Sequence, residues 1–330
     1  VGDRDFLYTK GAEMLVQICR FLASRGQWGQ RSGKFGYYCV MGPDEFQMMV
    51  NNNCYTNYMA QETFWYTLQV LQEMKTEAPG RYDELVEKVR LAEEELVSWQ
   101  KMAEKMKIPY DENTGLYEQH DGYFDLPHIE VDSIPVTDFP LYQHWSYDRI
   151  FRNDMIKQPD VLMLMFLHNR QFTTEAKRVN YEYYEPRCVH ESSLSPSIHS
   201  ILAAELGKHE EAFEFFRFAT RMDLDNYNRN TNEGLHLTSM AAAWMNVVYG
   251  FGGMRSDGEI LAFNPSLPRA WRGYSFRVSY RGSVIGFTVE GQTVTARVMS
   301  GPPVRIAVYG AEYELDAAGL RLEMPPEWRG

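Results

Sequence analysis

The stretch that decides the fold is GFGGMRSDGEILAFNPSLPRAWRGYSFRVSY, residues 250–280. Its first glycines end a helical pattern, because glycine weakens a helix interior. Residues 274–280 then alternate between apolar and polar side chains, as do residues 286–290, and glycine-containing pairs at 281–282 and 291–292 predict tight turns. This pattern predicts a small antiparallel β-domain over residues 258–330.

Upstream of this stretch, apolar side chains recur at intervals of three and four residues, as in Met14, Ile18, Phe21 and Leu22. The same criterion predicts further helices over residues 57–76, 80–106, 154–169, 173–184, 196–206, 208–222 and 235–250. Long polar and aromatic loops lie between them at 26–56, 108–153 and 222–234. Helical hairpins joined by such loops predict a mainly α domain over residues 1–257, an α-toroid whose loops form a cleft.

Composition limits the expected partners and location. The chain has 330 residues, 44% of them hydrophobic, and a net charge of −12 without a block of Lys and Arg, so neither a nucleic acid nor a membrane surface is expected as a partner. The four cysteines show no CxxC and no regular spacing, which favours reduced thiols and a cytoplasmic location. Because the chain starts with Val1 and enters a helical pattern at once, we expect it to be the C-terminal piece of a longer protein.

The run GPDEF at residues 42–46 places two carboxylic acids on a stiff loop, and NNN follows at 51–53. Pro43 fixes its own φ, so ordering this loop costs little further conformational freedom. A positioned acid suits general acid catalysis, and the three amides suit a polyhydroxylated ligand. The alternative is a helix-entry turn in which Asp44 or Asn53 is the cap.

Further polar groups precede apolar helices. Lys157 and Gln158 come shortly before VLMLM at 161–165, which indicates either a binding site or a solvated helix start. HESSLSP at 190–196 brings hydroxyls to a helix N-terminus, where they can bind an anion or cap the helix. His236 opens the last helix, where a satisfied core residue is the alternative to a ligand group. The histidines and cysteines lack the spacing of a zinc site.

Several motifs in this order resemble glycoside hydrolase family 65. They are GPDEF (42–46), NNNCYTN (51–57), YEQ (117–119), KQPDV (157–161), HESSLS (190–195) and EGLH (233–236). The resemblance covers nearly the whole chain and implies an (α/α)6 barrel, here partial and truncated at its N-terminus, followed by a small antiparallel β-domain. His120 departs from the family pattern, since we expect an aromatic residue there.

The resemblance also implies an activity and the residues that perform it. Family members are mostly inverting phosphorylases of α-linked glucosyl disaccharides such as maltose, trehalose, kojibiose and nigerose. By this resemblance, Glu45 matches the catalytic acid, Lys157 and Gln158 match the acceptor-sugar subsite, and Asp44 is expected to bind substrate. The residues that match the phosphate-binding region are Ser192, Ser193 and His236.

In the implied reaction, Glu45 protonates the glycosidic oxygen while inorganic phosphate attacks the anomeric carbon from the opposite face, which yields β-glucose 1-phosphate. Burial among Tyr37, Tyr38 and Phe46 is expected to raise the pKa of Glu45 so that it stays protonated near neutrality. Phosphate is a co-substrate, no metal or other cofactor is expected, and a homodimer is left open. The alternatives are an inverting hydrolase of the same family, with Glu191 or another acid near the two serines as general base, and an inactive sugar-binding fragment.

Overall fold

The first compact unit, Val1–Leu126, is helical. In the computed structural model, which describes residues 2–226, 229 and 231–329, a short helix passes through a π-helical turn into the first long helix. The helices of this unit are Arg4–Phe6, the π-helix Leu7–Gly11, Ala12–Arg25, Cys54–Glu77, Pro79–Val89, Glu93–Glu104 and the 3-10 turn Tyr123–Asp125. Two-residue antiparallel ladders join Gln27–Trp28 to Phe35–Gly36 and Tyr110–Asp111 to Leu116–Tyr117.

The longer helices Ala12–Arg25, Cys54–Glu77, Pro79–Val89 and Glu93–Glu104 each bury apolar side chains in one core. The buried side chains of that core include Val16, Phe64, Leu71, Met74, Leu85 and Trp99. Asn53 caps the helix Cys54–Glu77 by accepting a hydrogen bond from the Thr56 backbone N–H at 2.9 Å, so the capping alternative is confirmed for this residue.

The helix predicted over 80–106 is in fact two helices. Arg90 has a φ of 51° and ends the first of them in a left-handed C-cap, and the second begins at Glu93. Apolar residues at helical spacing continue across this break, since Leu91 and Leu96 are both buried in the core. Periodicity alone therefore did not reveal the turn.

The second compact unit, Pro127–Gly330, contains both helices and sheets. Its helices are Leu141–His144, Tyr147–Phe151, Val161–Leu167, Thr174–Tyr184, Ser195–Glu205, His209–Arg221, Leu237–Met245 and the π-helix Asn246–Phe251. Its 3-10 turns are Val131–Ser133, Val136–Asp138, Asn169–Gln171, Glu185–Arg187, Thr231–Glu233 and Pro326–Trp328.

Two sheets follow the last helix of this unit. The first is antiparallel, with the strand order Leu320–Glu323, Thr293–Ser300, Ser283–Glu290 and Gly273–Tyr280. The second has the order Ala311–Leu315, Val304–Val308 and Leu261–Phe263, and its last pair is parallel. Arg281 and Gly282 have φ values of 47° and 82°, as a two-residue hairpin turn of the I′ kind requires, so the turn predicted there is confirmed.

The predicted order of a mainly α region and then a small, largely antiparallel β-domain is confirmed. Closure of the helices into a barrel and a domain boundary after residue 257 stay predictions. Among the helices that the structure describes, none is long and apolar enough to cross a bilayer.

Candidate active site

The loop at residues 42–48 carries Asp44 and Glu45 in the first unit. Asp44 is fully buried, and its Oδ1 accepts a hydrogen bond from the Phe46 backbone N–H at 3.1 Å. Its Oδ2 accepts from Nε2 of Gln119 at 2.8 Å. Because both carboxylate oxygens are hydrogen-bonded within the protein, Asp44 anchors the loop, and a contact of this residue with substrate stays a prediction.

A second hydrogen bond holds the other end of the same loop. Gln47 is buried, and its Oε1 lies 3.1 Å from Nε2 of His120. Burial lowers the pKa of His120 and so favours its neutral ring. The ring also lies edge-on to Tyr123, with 5.4 Å between the centroids. His120 thus contacts an aromatic ring and also forms a hydrogen bond with Gln47.

Glu45 lies between these two anchored neighbours, and its own side chain is exposed. The expected burial among Tyr37, Tyr38 and Phe46 is therefore wrong. Tyr37 and Phe46 are buried in the protein interior, and the Tyr37 hydroxyl donates to the Leu22 carbonyl oxygen at 3.0 Å. Tyr37 is thus fixed by a contact within the core, and neither ring encloses the acid.

The asparagine triplet binds other protein groups in this structure. Asn52 is buried with a φ of 52°, and it donates to Oδ2 of Asp121 at 2.5 Å. Its Oδ1 accepts from Nδ2 of Asn57 at 3.3 Å. A Cβ atom on Gly36 would collide with that oxygen, so a larger residue there would have to displace the Asn52 side chain. The structural alternative therefore describes Asn52 better than a sugar contact does.

In the second unit, two distant segments meet at an isolated parallel β-bridge between Ile156 and Cys188. The Ile156 backbone N–H donates to the Arg187 carbonyl oxygen at 2.9 Å, and the Val189 N–H donates to the Ile156 carbonyl oxygen at 2.9 Å. This pairing connects the neighbourhood of Lys157 with the segment that leads to Glu191. It therefore brings together two of the residues singled out from the sequence.

The same pairing shortens a predicted helix. The helix expected over 154–169 occupies only Val161–Leu167, because Ile156 forms a bridge with Cys188 and Pro159 disfavours a helical conformation at Gln158. Gln158 is buried and Lys157 is half-buried. The alternative of a solvated helix start is therefore wrong at these two positions, and their predicted role at the acceptor sugar stays open to experiment.

Lys157 and Glu191 influence each other through their charges. Nζ of Lys157 lies 5.3 Å from the centroid of the Tyr142 ring, within cation–π range. Glu191 is buried, and its Oε1 accepts a hydrogen bond from the Leu141 backbone N–H. Burial raises the pKa of Glu191 to about 7, although this hydrogen bond and the charge of Lys157 oppose the rise. A carboxyl group that titrates near neutrality thus lies close to a cation.

Asp154 was not singled out from the sequence, yet it joins three segments. Its Oδ2 accepts from Nε of Arg187 at 2.7 Å and lies 2.8 Å from Nδ1 of His128. Its Oδ1 accepts from the Ile129 backbone N–H at 3.3 Å. No spacing rule could have linked Asp154 to Arg187, which is 33 positions away in the chain.

The two serines predicted to bind phosphate differ in their contacts. Oγ of Ser192 accepts a hydrogen bond from the Leu194 backbone N–H at 3.2 Å, and the side chain is buried. Ser193 is half-buried, and its hydroxyl has no hydrogen-bond partner within the described residues. Helix Ser195–Glu205 begins just after them and has no side-chain cap. Because Oγ of Ser192 only accepts in its bond, both hydroxyls keep a proton that a bound anion can accept.

His236, the third residue predicted to bind phosphate, is paired with a carboxylate. Its Nδ1 lies 2.5 Å from Oδ1 of Asp223, and its backbone N–H donates to Oδ2 of the same residue at 2.9 Å. The side-chain hydrogen bond with His236 lowers the pKa of Asp223. A phosphate that used this imidazole would compete with Asp223, and the predicted role stays a prediction.

A cavity of about 590 Å³ opens beside residues 188–191. Its polar lining includes Glu130, Asp132, Glu185, His190, Glu191 and Arg229. Burial raises the pKa of Glu185, and the nearby charge of Glu211 adds to that rise. Carboxylates in such a lining can accept hydrogen bonds from hydroxyl groups, as a sugar site requires. The sequence gave no reason to single out Asp132 or Glu185, because neither belongs to a pair of residues at a characteristic spacing.

Comparisons with known proteins agree along the chain. The family model described as glycosyl hydrolase family 65 central catalytic domain matches residues 1–245, and the C-terminal domain of that family matches residues 254–315. Over 308 residues, the chain is 43% identical to a maltose phosphorylase of Bacillus subtilis (strain 168). The matched segment covers 93% of this chain and 40% of that protein.

Two further relatives are similar in the same way. An α,α-trehalose phosphorylase of Thermoanaerobacter brockii is 42% identical over 321 residues, 97% of this chain and 42% of that protein. A solved structure described as "Putative kojibiose phosphorylase from human microbiome" matches with a TM-score of 0.90 and 45% identity, over 98% of this chain and 44% of the other. The chain thus spans less than half the length of each of these relatives.

Proposed function

The chain belongs to glycosyl hydrolase family 65, and we propose that it contributes the general acid and phosphate-binding residues of an inverting disaccharide phosphorylase. The reaction would convert an α-linked glucosyl disaccharide and inorganic phosphate into β-glucose 1-phosphate and a free acceptor sugar. Because the chain spans less than half the length of these relatives, the activity is proposed for a protein of their length that contains this chain, which we call the parent protein. The cytoplasm remains its predicted location, since the cysteines have no regular spacing.

One observation carries this proposal. Glu45 is exposed on a loop whose flanking residues Asp44 and Gln47 are each held by a side-chain hydrogen bond, at 2.8 Å and 3.1 Å. A general acid must reach the leaving oxygen in a defined position, and a rigid loop that exposes one carboxyl supplies that. The phosphorylase names of the relatives support phosphorolysis as the reaction.

In this proposal, the proton and the nucleophile come from different groups. Glu45 gives its proton to the glycosidic oxygen, and phosphate supplies the nucleophilic oxygen, so no second carboxylate is needed to activate water. Ser193 would donate a hydrogen bond to phosphate at the entry of helix Ser195–Glu205, where backbone N–H groups also favour an anion. Lys157 and Gln158 would hold the acceptor sugar.

A hydrolase of the same family is the second candidate, because one observation favours it. Glu191 lines the cavity, and its pKa of about 7 would let it accept a proton near neutrality. Against this, its Oε1 already accepts a hydrogen bond from the backbone N–H of Leu141.

The dependence of the reaction on phosphate separates the two candidates. We expect cleavage by the parent protein to rise with inorganic phosphate and then saturate, with β-glucose 1-phosphate as the product. Release of free glucose without phosphate, abolished by Glu191→Gln, would instead establish a hydrolase. An assay of the 330-residue chain beside the parent protein tests the third alternative, an inactive sugar-binding fragment.

A further inference from the structure

Three side chains of metal-ligating type converge in the second unit, although their spacing in the sequence resembles no zinc motif. Ligand atoms of Cys188, His190 and His199 all lie within 4.8 Å of one another. Sγ of Cys188 is 3.7 Å from Nδ1 of His190. With Zn–S at about 2.3 Å and Zn–N at about 2.0–2.1 Å, a tetrahedral ion separates sulfur from nitrogen by roughly 3.6 Å. The observed distance fits that geometry.

We propose that Cys188, His190 and His199 bind one divalent ion of the zinc class, through the sulfur of the first and one ring nitrogen of each histidine. One thiolate and two imidazoles form a ligand set that selects zinc over the harder magnesium and calcium ions. No step of the proposed reaction passes through this ion, although Cys188 and His190 line the same cavity as Glu191.

Ser195 occupies the space among the three ligands. Its Oγ lies 3.1 Å from Sγ of Cys188, 2.8 Å from Nδ1 of His190 and 3.5 Å from Nδ1 of His199. An ion bound by the three ligands would need this hydroxyl to leave the space, for example by rotation about χ1. The hydroxyl therefore competes with an ion, and its removal should not harm ion binding.

His199 offers one buried ring nitrogen to a metal ion. Nε2 of His199 is buried and has no hydrogen-bond partner among the residues that the structure describes. On binding, the Cys188 thiol loses its proton to solvent as the metal–sulfur bond forms, so uptake releases one proton.

An ion can reach this cluster from outside. Cys188 and His190 both line the cavity of about 590 Å³, while His199 is fully buried. His190 also has a φ of 53°, a left-handed conformation that non-glycine residues rarely adopt. This conformation occurs where His190 lies beside both Cys188 and Ser195.

The test uses the 330-residue chain, stripped of metal and kept reduced, and Co²⁺ as a spectroscopic substitute for zinc. We expect one Co²⁺ per chain, with a thiolate-to-cobalt absorption band and the visible bands of tetrahedral cobalt, which Zn²⁺ abolishes by displacement. Cys188→Ser should remove the thiolate band and lower affinity at least about 100-fold, more than the loss of a supporting contact does. Cys39→Ser, which changes an exposed thiol, is the matched control and should bind as the wild type does.

Two results would overturn the proposal. One is the absence of a thiolate band in the wild type, and the other is a band that survives Cys188→Ser. Ser195→Ala should retain the band, because its hydroxyl competes with the ion; loss of the band in that variant would show that the hydroxyl is needed for binding and would contradict this arrangement of ligands.

A measurement on the unmodified chain keeps the test valid if a variant does not fold. Mass spectrometry measures the alkylation rates of Cys188 and Cys39 in the same sample, with and without Zn²⁺. We expect Zn²⁺ to slow the alkylation of Cys188 at least tenfold relative to that of Cys39. Equal alkylation rates with and without Zn²⁺ would contradict the proposal.

Discussion

Gln119 donates a hydrogen bond from Nε2 to Oδ2 of Asp44 at 2.8 Å, across 75 positions of the chain. The acceptor is the residue immediately before Glu45, so this bond determines where the loop presents its exposed acid. A second bond, between His120 and Gln47, acts on the other side of Glu45. The position of the proposed general acid therefore depends on residues 119 and 120, and not on the loop alone.

The first prediction concerns this anchor. Gln119→Leu should lower the free energy of unfolding by about 1–3 kcal/mol, because it leaves the fully buried carboxylate of Asp44 without one of its donors. Urea denaturation of the chain measures the change. Gln69→Leu, at an exposed position of helix Cys54–Glu77, is the control and should change stability by no more than about 0.5 kcal/mol. Equal effects of both variants would contradict the anchoring role.

The second prediction concerns the acid itself. Glu45→Gln in the parent protein should lower kcat about 10²–10⁴-fold while the fold is retained, because the amide has no proton to donate. Steady-state phosphorolysis and circular dichroism measure the two quantities. Glu112→Gln alters another exposed carboxyl group and should leave the rate within a few-fold. Activity of Glu45→Gln near that of the wild type would exclude this residue as the acid.

The third prediction tests the acceptor subsite. Gln158→Ala should weaken binding of the acceptor sugar in the synthetic direction more than it weakens binding of β-glucose 1-phosphate. The reason is that the buried Gln158 amide is proposed to form hydrogen bonds with the acceptor sugar only. The two KM values in the parent protein give the comparison, with the exposed Gln143→Ala as control. An equal rise in both KM values would assign Gln158 a structural role.

The fourth prediction tests the phosphate contact. Ser193→Ala should raise the phosphate concentration for half-maximal rate roughly tenfold to a hundredfold, as expected when a hydrogen bond to a charged ligand, worth about 1.5–3 kcal/mol, is lost. Phosphate titration of the parent protein measures it, and the exposed Ser275→Ala is the control. An unchanged titration curve would remove Ser193 from the site. His236→Ala is less specific, because it also deprives Asp223 of its partner.

The fifth prediction follows from the pKa of Glu191, which burial raises from 4.5 to about 7. Between these values the folded chain holds a proton that the unfolded chain has lost, so this group makes the free energy of unfolding fall as pH rises through the window. The fall amounts to at most about 3 kcal/mol, at 1.36 kcal/mol per pKa unit.

Glu191→Gln removes this titration, so the variant should lose less stability than the wild type between about pH 4.5 and 7. Urea denaturation at a series of pH values measures the slopes. Glu87→Gln, at an exposed helix position, should leave the wild-type slope unchanged. Identical slopes for the wild type and Glu191→Gln would show that Glu191 does not retain a proton in the folded chain.

Some of the candidate site followed from local sequence signals. The capping role of Asn53 and the turn at Arg281 and Gly282 both depend on residues within a few positions, and both are present. The start of helix Val161–Leu167 did not follow, because the residues before it pair with a segment some thirty positions away. The exposure of Glu45 did not follow either, since it depends on which neighbouring side chains are buried in the core.

By itself, the sequence determined the order of a helical region and a small β-domain, together with the motifs that resemble the family. These features follow from periodicity and turn chemistry, which act over a few residues. Only the tertiary structure decided that Asp44 is buried while Glu45 is exposed, and that Cys188 and His199 meet. Such outcomes depend on packing between elements that are distant in the chain. A local sequence pattern does not identify the distant residue that a side chain contacts.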